Sequence, residues 1–245
     1  MKSYAKINIF LKITGFRWNY HEISSRFVLF KALFDEINFI KRQSDELILG
    51  DKIENNIIFK AKFELENLGF KNELDEFFKL NQINLIKNIP MGGGLGGGSS
   101  NAAAFLNMVN DELNLGIKPQ KLMQIAKNIG ADVSFFVSKF DSANVSGIGE
   151  IVSEFDDDLP DIKLITSPIF CSTPAVFAKF RSSFCGFDLD LASNLEKLSS
   201  KEILTSFKNY KLNDLLKPCL ELYPNLKVQD NEFLSGSGST KFSLV

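Results

Sequence analysis

The chain has 245 residues, of which 44% are hydrophobic and 24% charged, the balance of a folded globular protein rather than a disordered one. A formal net charge of −2 gives no general attraction to nucleic acid or to an anionic membrane, so any anionic ligand must be held by local groups. Cys171, Cys185 and Cys219 are scattered and form no C-x-x-C pair, which argues against a disulfide framework or a zinc site and for a reduced cytoplasmic setting.

Residues 4–13 alternate. Ala5, Ile7, Ile9, Leu11 and Ile13 fall on one side; Tyr4, Lys6, Asn8, Phe10 and Lys12 on the other. Period two predicts a strand with one buried face, ended by Gly15. Lys6, Asn8 and Lys12 also break the apolar run that a signal peptide would need, and no apolar stretch reaches the roughly 18 residues of a membrane span. Further strands are expected at 27–33, 36–41 and 45–50. Residues 56–68 read as a helix, with Gly69 as its stop. A strand at 82–87 leads to Pro90. Helices follow at 100–113 and 119–129. The acidic, proline-containing segment Phe155–Asp161 is the best candidate for a boundary, dividing the chain into 1–155 and 156–245. Beyond it come a strand at 162–167, helical stretches and a closing turn, Ser235-Gly236-Ser237-Gly238-Ser239. Strands and helices mix in both halves, so the fold class is α+β.

Between the strand ending near Lys87 and the helix opening near Ser100 lies Pro90-Met91-Gly92-Gly93-Gly94-Leu95-Gly96-Gly97-Gly98-Ser99-Ser100. Six glycines in seven positions permit positive φ and remove Cβ atoms. Such a backbone can aim successive N–H groups at an anion, and the following helix start adds free donors and the positive end of its dipole. A triphosphate fits best. The Walker A loop is excluded because Gly98 is followed by Ser99 with no lysine. A dinucleotide fingerprint is matched by Gly92, Gly94 and Gly97, but the acids at the right distance, Asp111 and Glu112, lie on a helix rather than at the end of a second strand.

The run from Pro90 to Ala103 resembles the ATP loop of the GHMP kinases, which phosphorylate small-molecule alcohols. Ala5-Lys6-Ile7-Asn8-Ile9-Phe10-Leu11, Tyr20-His21-Glu22, Gly130-Ala131-Asp132-Val133, Ser172-Thr173-Pro174-Ala175-Val176-Phe177 and Leu234–Ser239 resemble other motifs of that superfamily, in particular of its members whose alcohol carries a cytidine diphosphate. The resemblance implies a ribosomal-S5-like N-terminal domain (1–155) and a ferredoxin-like C-terminal domain (156–245) that is short at its end. It implies ATP with Mg²⁺, no nucleic acid and no membrane partner. It makes Asp132 the base for the alcohol proton and Lys6 its electrostatic partner. It assigns ATP to Pro90, Met91, Gly92, Gly93, Gly94, Leu95, Gly96, Gly97, Gly98, Ser99 and Ser100, with Lys87 and Asn56 toward the adenine. It assigns the cytidine-bearing substrate to Asn8, Tyr20, His21 and Phe177, with His21 bonding the base edge and the two aromatic rings stacking on it. Homoserine- or mevalonate-type kinases are the runner-up; those acceptors carry no base to stack.

Each residue also has a plainer reading. Lys6 would be a solvated edge charge, Asp132 a helix N-cap, Phe177 core packing, Lys87 a surface charge, and His21 structural. Ser99 or Ser100 could reach Mg²⁺. Two departures stand out: Asn19 where a glycine precedes the Tyr-His pair, and Ser134 in place of a proline. Asn is the residue after glycine that best tolerates a left-handed turn.

Overall fold

The computed structural model describes residues 1–51, 53–183 and 186–245; Cys185 lies outside them. In chain order the elements are β1 (Lys2–Arg17), β2 (Tyr20–Lys41), β3 (Ile48–Gly50), α1 (Ile58–Leu65), α2 (Lys71–Leu80), β4 (Asn81–Ile86), α3 (Gly97–Glu112), α4 (Pro119–Ile129), α5 (Val133–Ser138), β5 (Ser142–Gly147), β6 (Ile151–Glu154), β7 (Ile162–Ile165), α6 (Thr173–Ser183), α7 (Leu189–Leu195), α8 (Ser200–Ser206), α9 (Asn209–Leu212), α10 (Leu216–Leu222), β8 (Phe233–Leu234) and β9 (Lys241–Leu244). The chain forms two compact units, each discontinuous in sequence. The first comprises Met1–Ala5, Phe30–Ile89 and Gly97–Lys139; the second Lys6–Leu29, Pro90–Gly96 and Phe140–Val245.

In the first unit, β4 pairs antiparallel with the C-terminal half of β2, Glu36 opposite Ile86, and parallel with β3. Helix α3 is the centre of its core. Ala102 to Leu106 are five consecutive buried residues, the pattern of a helix covered on all sides. Ile58, Ala61 and Leu65 of α1, Leu74 and Phe78 of α2, and Leu122, Ile125 and Ile129 of α4 complete the cluster. Gly69 ends the first helical stretch, as expected: it is left-handed (φ 102°), a non-helical kink after which the chain resumes as α2. Leu65 before the kink and Leu74 after it are buried in one core.

In the second unit, β1 pairs with β2, the N-terminal half of β2 pairs antiparallel with β5, and β5 with β6. A separate sheet runs β7-β9-β8. Its core gathers Leu11, Ile13 and Ile23 with Val176, Phe180, Leu215, Cys171 and Cys219. The expectation of one buried face on β1 is corrected: Lys6, Asn8, Phe10 and Lys12 are buried as well. Polar residues on the second face are tolerated because each is paired. Lys12 Nζ bonds the Asp214 carboxylate, which also accepts from Ile13 N–H at 2.7 Å. Arg26, fully buried on β2, donates to Asn144 Oδ1 (2.7 Å), Glu196 O (3.0 Å) and Leu198 O (3.2 Å) and lies 3.4 Å over the Phe155 ring.

Candidate active site

The glycine run is divided between the units. Pro90–Gly96 belong to the second, and Gly97–Ser100 open α3 in the first. Gly92, Gly94 and Gly96 have φ of 70°, 76° and 68°, so every second residue is left-handed. Much of this glycine content answers to packing. A Cβ on Gly92 would lie 2.4 Å from the Phe170 ring, one on Gly93 2.7 Å from Thr240 Oγ1, and one on Gly94 2.1 Å from Ser235 O. From the other side, a Cβ on Gly238 would lie 2.0 Å from Gly94 N. The loop and the closing Ser235–Ser239 turn therefore interlock backbone to backbone. Thr240 N–H donates to Gly93 O (3.2 Å) and Ser235 Oγ to Gly94 O (3.2 Å). Met91 is exposed, while Leu95 is buried and accepts from Lys6 N–H (2.9 Å).

At the start of α3 the glycines are less crowded. A Cβ on Gly98 would make only an ordinary contact with Ile57 at 3.6 Å. The first four N–H groups of this helix have no acceptor within it and carry the positive dipole end. Gly98 and Ser99 are the accessible part. This is the segment of the run best suited to phosphate oxygens. Gly97 is held for another reason: Ile89 and Lys87 Nζ would stand 2.9 and 3.2 Å from its Cβ.

Beneath that helix start lies a polar network of the first unit. Lys87 Nζ binds the buried Asp35 carboxylate and Asn101 Oδ1 (2.9 Å). Asp35 Oδ1 accepts from Asn88 and Ile89 N–H at 2.7 and 2.8 Å. Asn101 Nδ2 donates to Asp35 Oδ2 and to Ser3 Oγ, both at 2.9 Å, and Ser3 donates to Ser100 Oγ (2.7 Å). Lys87 is therefore not a solvated surface charge; it neutralises a buried acid that ties down the strand leading into the loop. Asp35 and Ser3 were not signalled by any motif, whereas Asn101 falls inside the run that resembles the ATP loop. Asn56 is buried, and its Oδ1 accepts from Ile58 N–H (3.1 Å), opening α1.

Asp132 stands at the N-cap position of α5 in helical conformation (φ −76°, ψ −11°), and its side chain makes no capping bond. The capping role that its position suggests is not the one it performs. Ser134 beside it is fully buried, and its hydroxyl has no partner among the described residues.

In the second unit Lys6 is buried, contrary to a solvated edge charge. Its Nζ donates to Asn8 Oδ1 at 2.5 Å and lies 4.4 Å over the Phe27 ring. Asn8 in turn donates to Ser25 Oγ (2.9 Å), and its own N–H reaches Ser235 Oγ (3.3 Å). The strand thus presents a lysine whose head is fixed by hydrogen bond and ring.

The same unit brings Tyr20, His21 and Phe177 to one end of the β1–β2 hairpin. The His21 ring lies 4.9 Å from Phe177 and 5.1 Å from Phe16, centroid to centroid. Its Nε2 is buried and has no hydrogen-bond partner among the described residues. Burial, and then the neighbouring Arg181 charge, pull its pKa below the usual histidine value, so the ring is neutral at pH 7. Tyr20 is exposed. Arg181 on α6 was not foreseen from sequence. It stacks 4.4 Å over Phe16 and donates to Trp18 O (3.0 Å) and Tyr20 O (3.3 Å). The left-handed residue of the turn is Trp18 (φ 52°), not Asn19. Arg181 holds the carbonyls on either side of Asn19 in this turn.

No group of three His, Cys, Asp or Glu side chains that could hold a metal occurs among the described residues. Mg²⁺ is commonly held by one or two protein groups, phosphate oxygens and water, and for that mode Ser99 is the better hydroxyl, because Ser100 is buried and bonded to Ser3. Among the described residues no helix is long and apolar enough to cross a membrane.

The sequence profile of the GHMP kinases N terminal domain matches residues 56–139. The 4-diphosphocytidyl-2-C-methyl-D-erythritol kinase of Campylobacter jejuni (strain 81116) is 47% identical over 254 residues, covering 100% of this chain and 99% of that one. The enzyme of the same name from Sulfurimonas denitrificans is 42% identical, with 98% and 95% covered. Among solved structures, a 4-(cytidine 5'-diphospho)-2C-methyl-D-erythritol kinase superposes with TM-score 0.75 at 27% identity, over 100% of this chain and 89% of that one. The Streptococcus pyogenes mevalonate pyrophosphate decarboxylase gives TM-score 0.59 at 12% identity over 100% and 88%, a likeness of fold alone.

Proposed function

Because this chain belongs to the 4-diphosphocytidyl-2-C-methyl-D-erythritol kinases, a branch of the GHMP kinases, we propose that it transfers the γ-phosphoryl group of ATP to the 2-hydroxyl of 4-diphosphocytidyl-2-C-methyl-D-erythritol. The observation that carries the choice of acceptor is the orphaned Nε2 of His21 beside Phe177. A buried ring nitrogen without a partner costs free energy unless a ligand supplies one. A neutral histidine between aromatic rings suits a nucleobase edge and face; homoserine and mevalonate have neither.

In this reading Asp132 accepts the hydroxyl proton. The acceptor oxygen bonds to the γ-phosphorus as the bond from that phosphorus to the bridging oxygen breaks, and ADP leaves. Phosphoryl transfer depends mostly on positioning and electrostatics. Lys6 supplies positive charge against the transferring group. Its fixation by Asn8 and Phe27 supports that role, because a preset cation costs no reorganisation during the reaction. The first turn of α3 and the left-handed Gly96 hold the triphosphate. Mg²⁺, when bound with ATP, offsets phosphate charge, with Ser99 as the protein hydroxyl nearest in kind.

The test is ADP release with three acceptors: 4-diphosphocytidyl-2-C-methyl-D-erythritol, homoserine and mevalonate. Turnover with the first alone is expected. Asp132→Asn and Lys6→Ala are each expected to lose about 10²–10⁴-fold in kcat while still binding ATP. Turnover only with homoserine or mevalonate would overturn the acceptor, and near-wild-type kcat in either variant would remove that residue from its role.

A further inference from the structure

We infer that Asn213 is a positioning residue for phosphoryl transfer, holding the closing glycine turn in the one place that fixes the Lys6–Asn8 pair. The inference rests on the proposed role of Lys6. Asn213 lies between α9 and α10 and belongs to none of the motifs that pointed to the family.

The side chain of Asn213 is buried and fully used. Its Nδ2 donates to Leu234 O and to Gly236 O, both at 2.9 Å, and its Oδ1 accepts from Leu215 N–H at 2.9 Å. The two carbonyls flank Ser235, so one amide spans the start of the turn. The backbone beneath it is stitched to β1: Asn213 bridges Leu11, and Asp214 N–H donates to Leu11 O at 3.0 Å. Asp214 then binds Lys12 Nζ and Ile13 N–H. Asn213 therefore ties the turn to the same strand that carries Lys6 and Asn8.

The turn in its place touches that pair. Gly236 is left-handed (φ 59°), and a Cβ there would stand 3.1 Å from Asn8 Oδ1 and 3.6 Å from Lys6 Nζ. Ser235 Oγ lies 3.3 Å from Asn8 N. Gly236 thus leaves little room beside the Lys6 ammonium and the Asn8 amide, and its carbonyl is the one Asn213 holds. An amide is required for this task. It presents two donors to two carbonyls and an acceptor to an N–H, a combination that neither a carboxylate nor a hydroxyl supplies.

The test compares Asn213→Asp, Gly236→Ala, the double variant and Lys6→Ala with the wild-type enzyme. Asn213→Asp keeps shape and the Leu215 bond but loses both donors. We expect kcat to fall about 10–100-fold, as for a small misplacement of a catalytic group, with the KM for the cytidine substrate within about threefold of wild type. Gly236→Ala should do the same from the other side, and the double variant should lose less than the product of the two. A loss of fold alone would lower the active fraction without that coupling. Far-UV circular dichroism checks that each variant is folded. Where Asn213→Asp is unfolded, Gly236→Ala alone decides. A kcat within twofold of wild type in the folded variant, a rise in KM with kcat unchanged, or losses that multiply would each overturn the inference. Near-wild-type kcat in Lys6→Ala would instead end the reading of Lys6, a separate outcome.

Discussion

Replacing Gly94 by alanine separates the two demands made on the glycine loop. The new Cβ meets Ser235 O at 2.1 Å and Gly238 N at 2.9 Å, on a backbone at φ +76°. A left-handed alanine costs about 1–2 kcal/mol. Overpacking against backbone, which cannot swing aside as a side chain does, adds about 1–3 kcal/mol. The sum is roughly 2–5 kcal/mol. At about 2–4 °C per kcal/mol for a chain of this size, the melting temperature should fall by roughly 4–20 °C. Two controls isolate the terms. Gly116→Ala has a comparable φ of +66° with nothing within 4 Å of the new atom, so it bears the conformational cost alone. Gly98→Ala has neither positive φ nor a close contact and should change stability by no more than about 0.5 kcal/mol. Differential scanning calorimetry on the three variants, with kcat/KM for ATP, is the assay. Gly94→Ala should lose the most on both measures, whereas Gly116→Ala should keep its kinetics. A melting temperature for Gly94→Ala no lower than that of Gly116→Ala would refute the interlock as the reason for the glycine.

His21 is neutral at and above its usual pKa because burial and Arg181 lower its value, so the unfolded chain binds the extra proton first. Stability should therefore decline as pH falls below about 6.5, and Arg181→Leu should raise the His21 pKa, both readable by NMR titration and thermal melts; an unchanged His21 pKa in that variant would contradict the electrostatic part. Cys171 and Cys219 lie buried with sulfurs 3.9 Å apart, and burial raises both thiols. Peptide mapping after iodoacetamide should find both unmodified in the native protein and alkylated after denaturation; rapid native labelling of either would contradict their burial.

The elements with a strong period or a sharp boundary were legible in the sequence. Helix α4, with proline at its start, falls where its apolar spacing puts it, and β4 and α3 bracket the glycine run as expected. What periodicity conceals is pairing. Lys6, Asn8 and Lys12 alternate with apolar residues as an exposed face would, and only partners such as Ser25 and Asp214 make that face a second interior. A glycine run likewise reads as an anion cradle, because sequence cannot say what the missing Cβ atoms would have struck. Gly92, Gly93 and Gly94 give room to Phe170, Thr240 and Ser235, and of the glycines in the run only Gly98 is exposed. Asp35, Arg181 and Asn213 carry no local signature. They matter through hydrogen bonds to residues distant in sequence, which a linear pattern does not record.

The interlock of the two glycine turns also has a bearing on biosynthesis. Ser235 reaches Gly94 O across 141 residues of chain. At translation rates of about 5–20 residues per second, roughly 7–28 s separate the appearance of one turn from that of the other. During that interval the nascent glycine loop lacks the segment against which its backbone is shaped, so its native form is delayed until late in synthesis. A ribosome stalled shortly before Ser235 would display a chain with the loop's sequence but without its form.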